Sequence, residues 1–429
     1  AEDDAEDDAD DDAEDEAEDD VGDDSEDDAE DRSEADYDAD VLDDGMLDQI
    51  VDDVLDFTFD DRGEAIVRNE LVILTTNDTL QELKGLSGWR ELERQSLARF
   101  DSTLVRLMVP RYQNLEAALE RVRALLPGAS IDYNHSYELG QNAAAGEPRT
   151  TAGLLAGERY PSLRIGDERL GLIDGVIAGD HGVFEDARIR RRSFLAAGQR
   201  GEPGHGTAVA SLLIGQSGAF QGMAPDLELI AAEAFFDSGE FGLVSTSYQL
   251  VRAMDWLAGQ QVAVINMSLA GPANEVLERA VELALDENIV IVAAAGNDGP
   301  LAAPRFPAAY PGVIAVTAVD RNNRAYLRAG RGDHVDFAAP GVDIRVADPG
   351  EASGYRLSSG TSFATPFVAA LVLHYRGRLP DATPAEIFEA MRADVIDLGA
   401  PGHDTVFGWG LAGASLLERD DNESPGQSR

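Results

Sequence analysis

The 429-residue chain contains no cysteine. Neither a disulfide nor a thiolate metal site can form, so burial and hydrogen bonding must hold the fold together. Positive charge is also scarce: 34 Lys and Arg face 82 Asp and Glu, for a net charge of -48, and Lys84 is the only lysine. That balance argues against a basic surface for nucleic-acid phosphates. No apolar run approaches the roughly 20 residues that a membrane-spanning helix needs. The low lysine content fits either genome composition or a high-salt setting.

The acids are unevenly placed. Residues 1–45 carry 28 of them and one arginine, in near-repeats such as Ala1-Glu2-Asp3-Asp4. Self-repulsion and few apolar groups make 1–45 read as a disordered acidic tail. Weak binding of calcium or of basic proteins is the alternative, without EF-hand spacing to support it. The tail after Glu418 also reads as disordered.

Four short segments carry chemistry. Leu170-Gly171-Leu172-Ile173-Asp174 is an apolar run ending in an acid, the pattern of a buried parallel strand with Asp174 at its carboxyl end. Gly204-His205-Gly206 places a histidine between glycines at the start of a small-residue helix, Thr207 to Ile214. Ala295-Gly296-Asn297 follows the apolar strand Ile289 to Val292. Gly360-Thr361-Ser362 precedes the apolar helix Phe363 to Leu373. A serine hydroxyl needs an imidazole to accept its proton, and a carboxylate to hold that imidazole in the right tautomer. A side-chain amide beside the serine N–H supplies two donors for an oxyanion.

With these residues in the order Asp174, His205, Asn297, Ser362, at separations of 31, 92 and 65, the chain resembles the subtilisin-like serine proteases (subtilases, peptidase S8). The resemblance runs from about Asp167 to Leu417 and includes Gly222-Met223-Ala224-Pro225, Asn266-Met267-Ser268-Leu269 and Phe407-Gly408-Trp409-Gly410. It implies an α/β fold, a mainly parallel sheet with helices on both faces. It implies Ser362 as nucleophile, His205 as general base then acid, Asp174 as its orienting group and Asn297 as the oxyanion donor. Substrate would lie between Gly242-Leu243-Val244 and Ser268-Leu269-Ala270-Gly271. Arg305 would fall near the pocket for the residue preceding the cut. It either selects an acidic residue there or packs its stem with the head in solvent.

The chain departs from the family where Gly175 follows Asp174 in place of Ser or Thr. The hydroxyl lost there weakens support for the carboxylate. No cofactor is required by this chemistry. Structural calcium is compatible with the family but is not located, because the 215–220 loop lacks Asn and Asp ligands. His135, His334, His374 and His403 have no ligand partners at metal spacing. Asp333, Asp336 and Asp343 could bind a cation but read better as a solvated loop.

Residues 46–139 read as a separate α+β unit: strands at 70–76, 103–110 and 130–137, with helices at 78–98 and 115–126. This order suits a small ferredoxin-like split βαβ prodomain, here an intramolecular inhibitor cut shortly after Tyr137, or else an accessory domain never removed. Residues 140–166 read as a linker, 167–417 as the catalytic domain and 418–429 as a tail. The expected protein is a secreted or cell-envelope serine endopeptidase (EC 3.4.21), its signal peptide removed. It is made as a self-processing zymogen, acts as a monomer on polypeptides and has no nucleic-acid partner. A silent or single-turnover scaffold that binds peptides is the rival class. A sedolisin-type acid protease would need glutamate in place of His205.

Overall fold

The computed structural model describes residues 55–76, 80, 83, 85–140, 160–218, 220–350 and 354–417. The acidic segment 1–45, most of the expected linker and the last twelve residues lie outside the described residues.

The N-terminal unit is built on β1 (Phe57–Phe59), β2 (Ala65–Thr75), β3 (Arg90–Leu97), β4 (Ser102–Met108), α1 (Leu115–Leu125) and β5 (Ser130–Leu139). Its strands lie in the order β5-β2-β4-β3, each neighbouring pair antiparallel. That is the ferredoxin-like order, with one strand more than expected. The expected helix over 78–98 is corrected: Arg90–Leu97 is a strand on the sheet edge. Its sequence, Arg-Glu-Leu-Glu-Arg-Gln-Ser-Leu, carries an i,i+3 pair, Glu91 and Arg94, that also suits a helix. On an exposed edge the same charges discourage pairing with another chain. Asn114 caps α1 by accepting the Ala117 N–H at 2.8 Å.

The larger part is a nine-stranded sheet. Its members include β6 (Arg169–Asp174), β7 (Arg188–Ser193), β10 (Glu228–Glu233), β13 (Val264–Met267), β15 (Val290–Ala294), β16 (Ile314–Val319) and β17 (Phe337–Pro340). Two hairpin strands, β8 (Gln216–Ser217) and β9 (Phe220–Gln221), follow α2 (His205–Ile214). Pairing from β7 through β17 is parallel throughout. The central strands are buried on both faces, which is why they read as unbroken apolar runs.

One face carries α2 and α5 (Thr361–Arg378), and the other α3 (Ser247–Gly259) and α4 (Glu275–Asp286). α5 is buried over most of its length, from Thr361 to Leu373, so no amphipathic stripe is needed. Tyr160 and Leu163, at the end of the expected linker, belong to this core, with the Tyr160 hydroxyl donating to the Ala412 carbonyl at 2.7 Å.

β5 joins the two parts within one eight-stranded sheet. It stays beside β2 as far as His135, and from Ser136 onward it pairs antiparallel with β12 (Leu243–Thr246) on one side and β14 (Leu269–Ala270) on the other. The sheet that begins in the N-terminal unit thus ends between two segments of the larger part.

Candidate active site

The parallel sheet brings two strand carboxyl ends and two helix N-termini to one edge. Asp174 is the last residue of β6, Asn297 follows β15 and His205 opens α2. Ser362 sits in the first turn of α5, whose N-cap, Gly360, has φ 159°. Active sites of open α/β sheets form at this edge.

Asp174 and His205 are both buried, and the imidazole Nδ1 lies 2.8 Å from Asp174 Oδ1 and 3.0 Å from Oδ2. This bidentate contact fixes the ring so that Nε2 faces away from the carboxylate. His205 Nε2 is buried with no hydrogen-bond partner among the described residues. Phe363 packs on the ring, centroids 5.5 Å apart. The glycine after the acid is also explained: Gly175 donates its own N–H to Asp174 Oδ1 at 2.7 Å. This backbone donor supports the carboxylate whatever side chain stands at 175. A Cβ on Gly206 would meet the Gly175 carbonyl, so the second glycine of the His205 motif is needed for close approach.

Ser362 is held by a reciprocal pair. Its carbonyl accepts the Ser268 hydroxyl at 2.8 Å, and its own hydroxyl donates to the Ser268 carbonyl at 3.1 Å. The first bond has a cause in the sequence. Pro366 has no N–H, so the Ser362 carbonyl lacks its i+4 donor within the helix. Ser268 fills that gap and ties α5 to the segment after β13.

Asn297 has its amide orientation set by α5. Its Oδ1 accepts the Thr361 N–H at 3.0 Å and the Thr361 hydroxyl at 3.1 Å. With the oxygen committed, Nδ2 points into the cleft and donates to the Gly140 carbonyl at 3.3 Å. A hydrogen-bond donor aimed at a carbonyl beside a serine hydroxyl is what acyl transfer requires.

The cleft is occupied by the chain itself. Tyr137 pairs with Ser245, Glu138 with Val244 and Ala270, and Leu139 with Leu269. Val244, Leu269 and Ala270 thus flank β5, and Ser268 sits beside Ser362. Gly242 and Leu243 sit further along, in the β11–β12 hairpin formed with β11 (Phe236–Asp237), where Gly242 takes φ 68°. Sequence reasoning missed Ser245 and Thr246, the further strand partners, and Pro272, whose carbonyl accepts the Tyr137 hydroxyl at 2.9 Å. Tyr137 is fully buried, its ring filling the space over Gly271. Arg305 lies beside Gly296, its head paired with Glu64 of the N-terminal unit and with Asp298, each at 3.1 Å.

Further contacts bind the two parts. Asn134 Oδ1 accepts the Tyr248 N–H at the start of α3, and Asp132 Oδ2 accepts the Glu275 N–H at the start of α4, so β5 caps two helices. His135 is fully buried, with Nδ1 2.8 Å from Asn274 Nδ2 and Nε2 3.2 Å from an Arg62 nitrogen. The expectation for Asp336 also changes. It is half-buried rather than solvated, and its carboxylate accepts the Ala315 N–H at 2.8 Å. Burial pushes its pKa up to about 7. Among the described residues, no group of three or more His, Asp or Glu is placed to hold a metal ion.

Comparison with known proteins agrees with this geometry. A family model described as Subtilase family matches residues 185–410, more than half of the chain, including His205, Asn297 and Ser362. Minor extracellular protease Epr of Bacillus subtilis is 35% identical over 211 residues, covering 48% of this chain and 32% of Epr. Subtilisin Savinase of Lederbergia lenta is 32% identical over 219 residues, covering 50% of this chain and 78% of Savinase. Other relatives are longer: the match covers 63% of alkaline elastase YaB from Bacillus sp.. The fold matches the crystal structure of fervidolysin from Fervidobacterium pennivorans, a keratinolytic enzyme related to subtilisin. The TM-score is 0.67 at 21% identity, over 85% of this chain and 62% of that one. No helix among the described residues is long and apolar enough to cross a membrane. The chain belongs to the subtilase family.

Proposed function

We propose that the protein is a serine endopeptidase in which Ser362 attacks a peptide carbonyl and His205 takes its proton. Asp174 holds the imidazole in place, and Asn297, with the Ser362 N–H, stabilises the oxyanion. The observation that carries this reading is the Asn297 amide directed at the Gly140 carbonyl, next to Ser362 Oγ. Residues 55–140 then act as an intramolecular inhibitor, and the bond presented for cleavage is Gly140–Gln141. That lies three residues beyond Tyr137, inside the range expected from sequence. Leaving the cleft would expose Tyr137 and give up the Asn134 and Asp132 bonds to α3 and α4, so peptides enter once the cut segment has been displaced or digested. Export from the cell is proposed from the kinship with an extracellular protease.

The reading is tested by peptide hydrolysis with the full chain. Wild type should hydrolyse a peptide matching residues 136–144, while Ser362→Ala and His205→Ala should not. Equal turnover by all three would overturn it.

A further inference from the structure

We propose that this cleft selects a glycine at the residue whose carbonyl is cut, preceded by leucine. Arg305 and Ala270 close the first pocket, and Gly175 opens the second. This rests on the reading that Gly140 occupies the acyl position.

The first pocket lies between β14 and the strand end at Gly296. A side-chain atom on Gly296 would sit 3.1 Å from Arg305 Cγ, 3.4 Å from Arg305 Cβ and 3.9 Å from Ala270 Cβ. The aliphatic stem of Arg305 therefore packs over Gly296, and the Ala270 methyl faces the same space. Two carboxylates, on Glu64 and Asp298, hold the arginine head. Asp298 belongs to the same loop as Asn297, so the stem keeps a partner once the Glu64 contact is lost. With the head engaged in this way, its charge is not free for an acidic substrate residue.

Gly140 carries a separate constraint, set by the reacting groups rather than by Arg305. A Cβ on it would lie 2.7 Å from Ser362 Oγ and still closer to Asn297 Nδ2. Any side chain at this position must displace the nucleophile or the oxyanion donor unless the segment moves. Glycine alone fits as seated.

The second pocket explains the departure from the family at Gly175. A Cβ there would lie 3.6 Å from Leu139 Cδ1, in ordinary contact, and 3.4 Å from the Glu202 carbonyl. A serine or threonine would add a hydroxyl beyond that Cβ, against an apolar side chain that is 5% exposed. The backbone N–H of Gly175 already serves Asp174, so the position is free to be shaped by substrate.

The test uses the full-length, self-processed protein and quenched fluorescent peptides built on Tyr-Glu-Leu-Gly-Gln-Asn. Glycine is replaced by Ala, Phe or Glu, and leucine by Ala. A misfit in a closed pocket costs about 10- to 200-fold in kcat/KM. The glycine peptide should exceed the Phe and Glu peptides by at least about tenfold. Arg305→Ala should raise the Phe peptide relative to the Ala peptide, with the glycine peptide still ahead of both. Gly175→Ser should lower the ratio of Leu to Ala peptides, a ratio that cancels any general loss of rate. Phe or Glu cut as fast as Gly by wild type overturns the proposal. Selectivity unchanged in both variants does the same. If no peptide is cut and Ser362→Ala behaves like wild type, the acyl-position reading has failed and the proposal falls with it.

Discussion

The Asn297 side chain reaches across 157 residues of chain to place its Nδ2 3.3 Å from the Gly140 carbonyl oxygen, while its Oδ1 is held by Thr361. One residue therefore reads both the helix that carries the serine and the segment lying in the cleft. In free water an exposed amide would rotate. Here the Thr361 N–H and hydroxyl leave only one orientation in which both ends of the amide are satisfied.

Asn297→Ala removes the donor and leaves the Asp174–His205 pair intact. Loss of one such donor lowers kcat by about 100- to 1,000-fold, a magnitude measured in subtilisin, a member of this same family. KM should change little, because the interaction strengthens only as the oxyanion forms. Steady-state kinetics on a matched peptide checks the split.

Asp174→Asn keeps the shape of the pair but favours the wrong imidazole tautomer. In a Ser-His-Asp site this costs about 10⁴ in kcat. The buried Asp174 receives the Gly175 N–H, so the variant should fold with an unchanged near-ultraviolet spectrum. A single-turnover rate for the Asn variant within tenfold of wild type would show that the carboxylate does little.

Most of this site was legible because its residues stand at element ends. Asp174 closes a run of apolar residues, His205 and Ser362 open helices, and Asn297 follows a strand, so each is marked by a change of period. The strand at 90–97 was not legible, because Glu91 and Arg94 pair across three residues as they would in a helix. Only the sheet partner β4 decides the matter. The role of Gly140 was hidden for a different reason. It is read only when β5 is seen to run on from the N-terminal unit into the cleft between β12 and β14. Nothing local in Leu139-Gly140-Gln141 announces a carbonyl held by Asn297. Asp336 looked like a loop acid because Gly332, Asp333 and His334 lead into it, and its partial burial comes with a contact to Ala315, which is distant in sequence.

Arg106→Ala should loosen the N-terminal unit. Its guanidinium makes two bonds to Glu70, at 2.5 and 3.1 Å, and Glu70 is 2% exposed. Removing one partner of a buried ion pair costs about 3–5 kcal/mol, because the remaining charge is stranded. Asn134 still donates to Glu70 at 2.9 Å but does not neutralise it. Urea unfolding in a Ser362→Ala background gives the loss, and adding Glu70→Gln should restore part of it.

Asp336 predicts a pH dependence of stability. Its pKa in the fold is about 7 against an ordinary 3.8, so the folded state holds a proton that the unfolded state releases. The contribution is fully present below about pH 4, is lost as pH rises through 7, and is constant above that. At about 1.4 kcal/mol per pKa unit, the loss amounts to roughly 4 kcal/mol. Asp336→Asn keeps an acceptor for the Ala315 N–H and does not ionise. In the Ser362→Ala background, the Tm of the parent should fall between pH 5 and 8 by several degrees more than that of the Asn variant. Parallel curves would contradict the assignment.

The central claim is that the cleft holds its own first substrate with the Gly140 carbonyl at Ser362. Intact-mass spectrometry of the full chain and of Ser362→Ala, followed over time near neutral pH, tests it most directly. The wild type should yield fragments 1–140 and 141–429, with Gln141 as the new N-terminus, while Ser362→Ala stays whole. A first cut elsewhere, or the same cut in both proteins, would contradict the account.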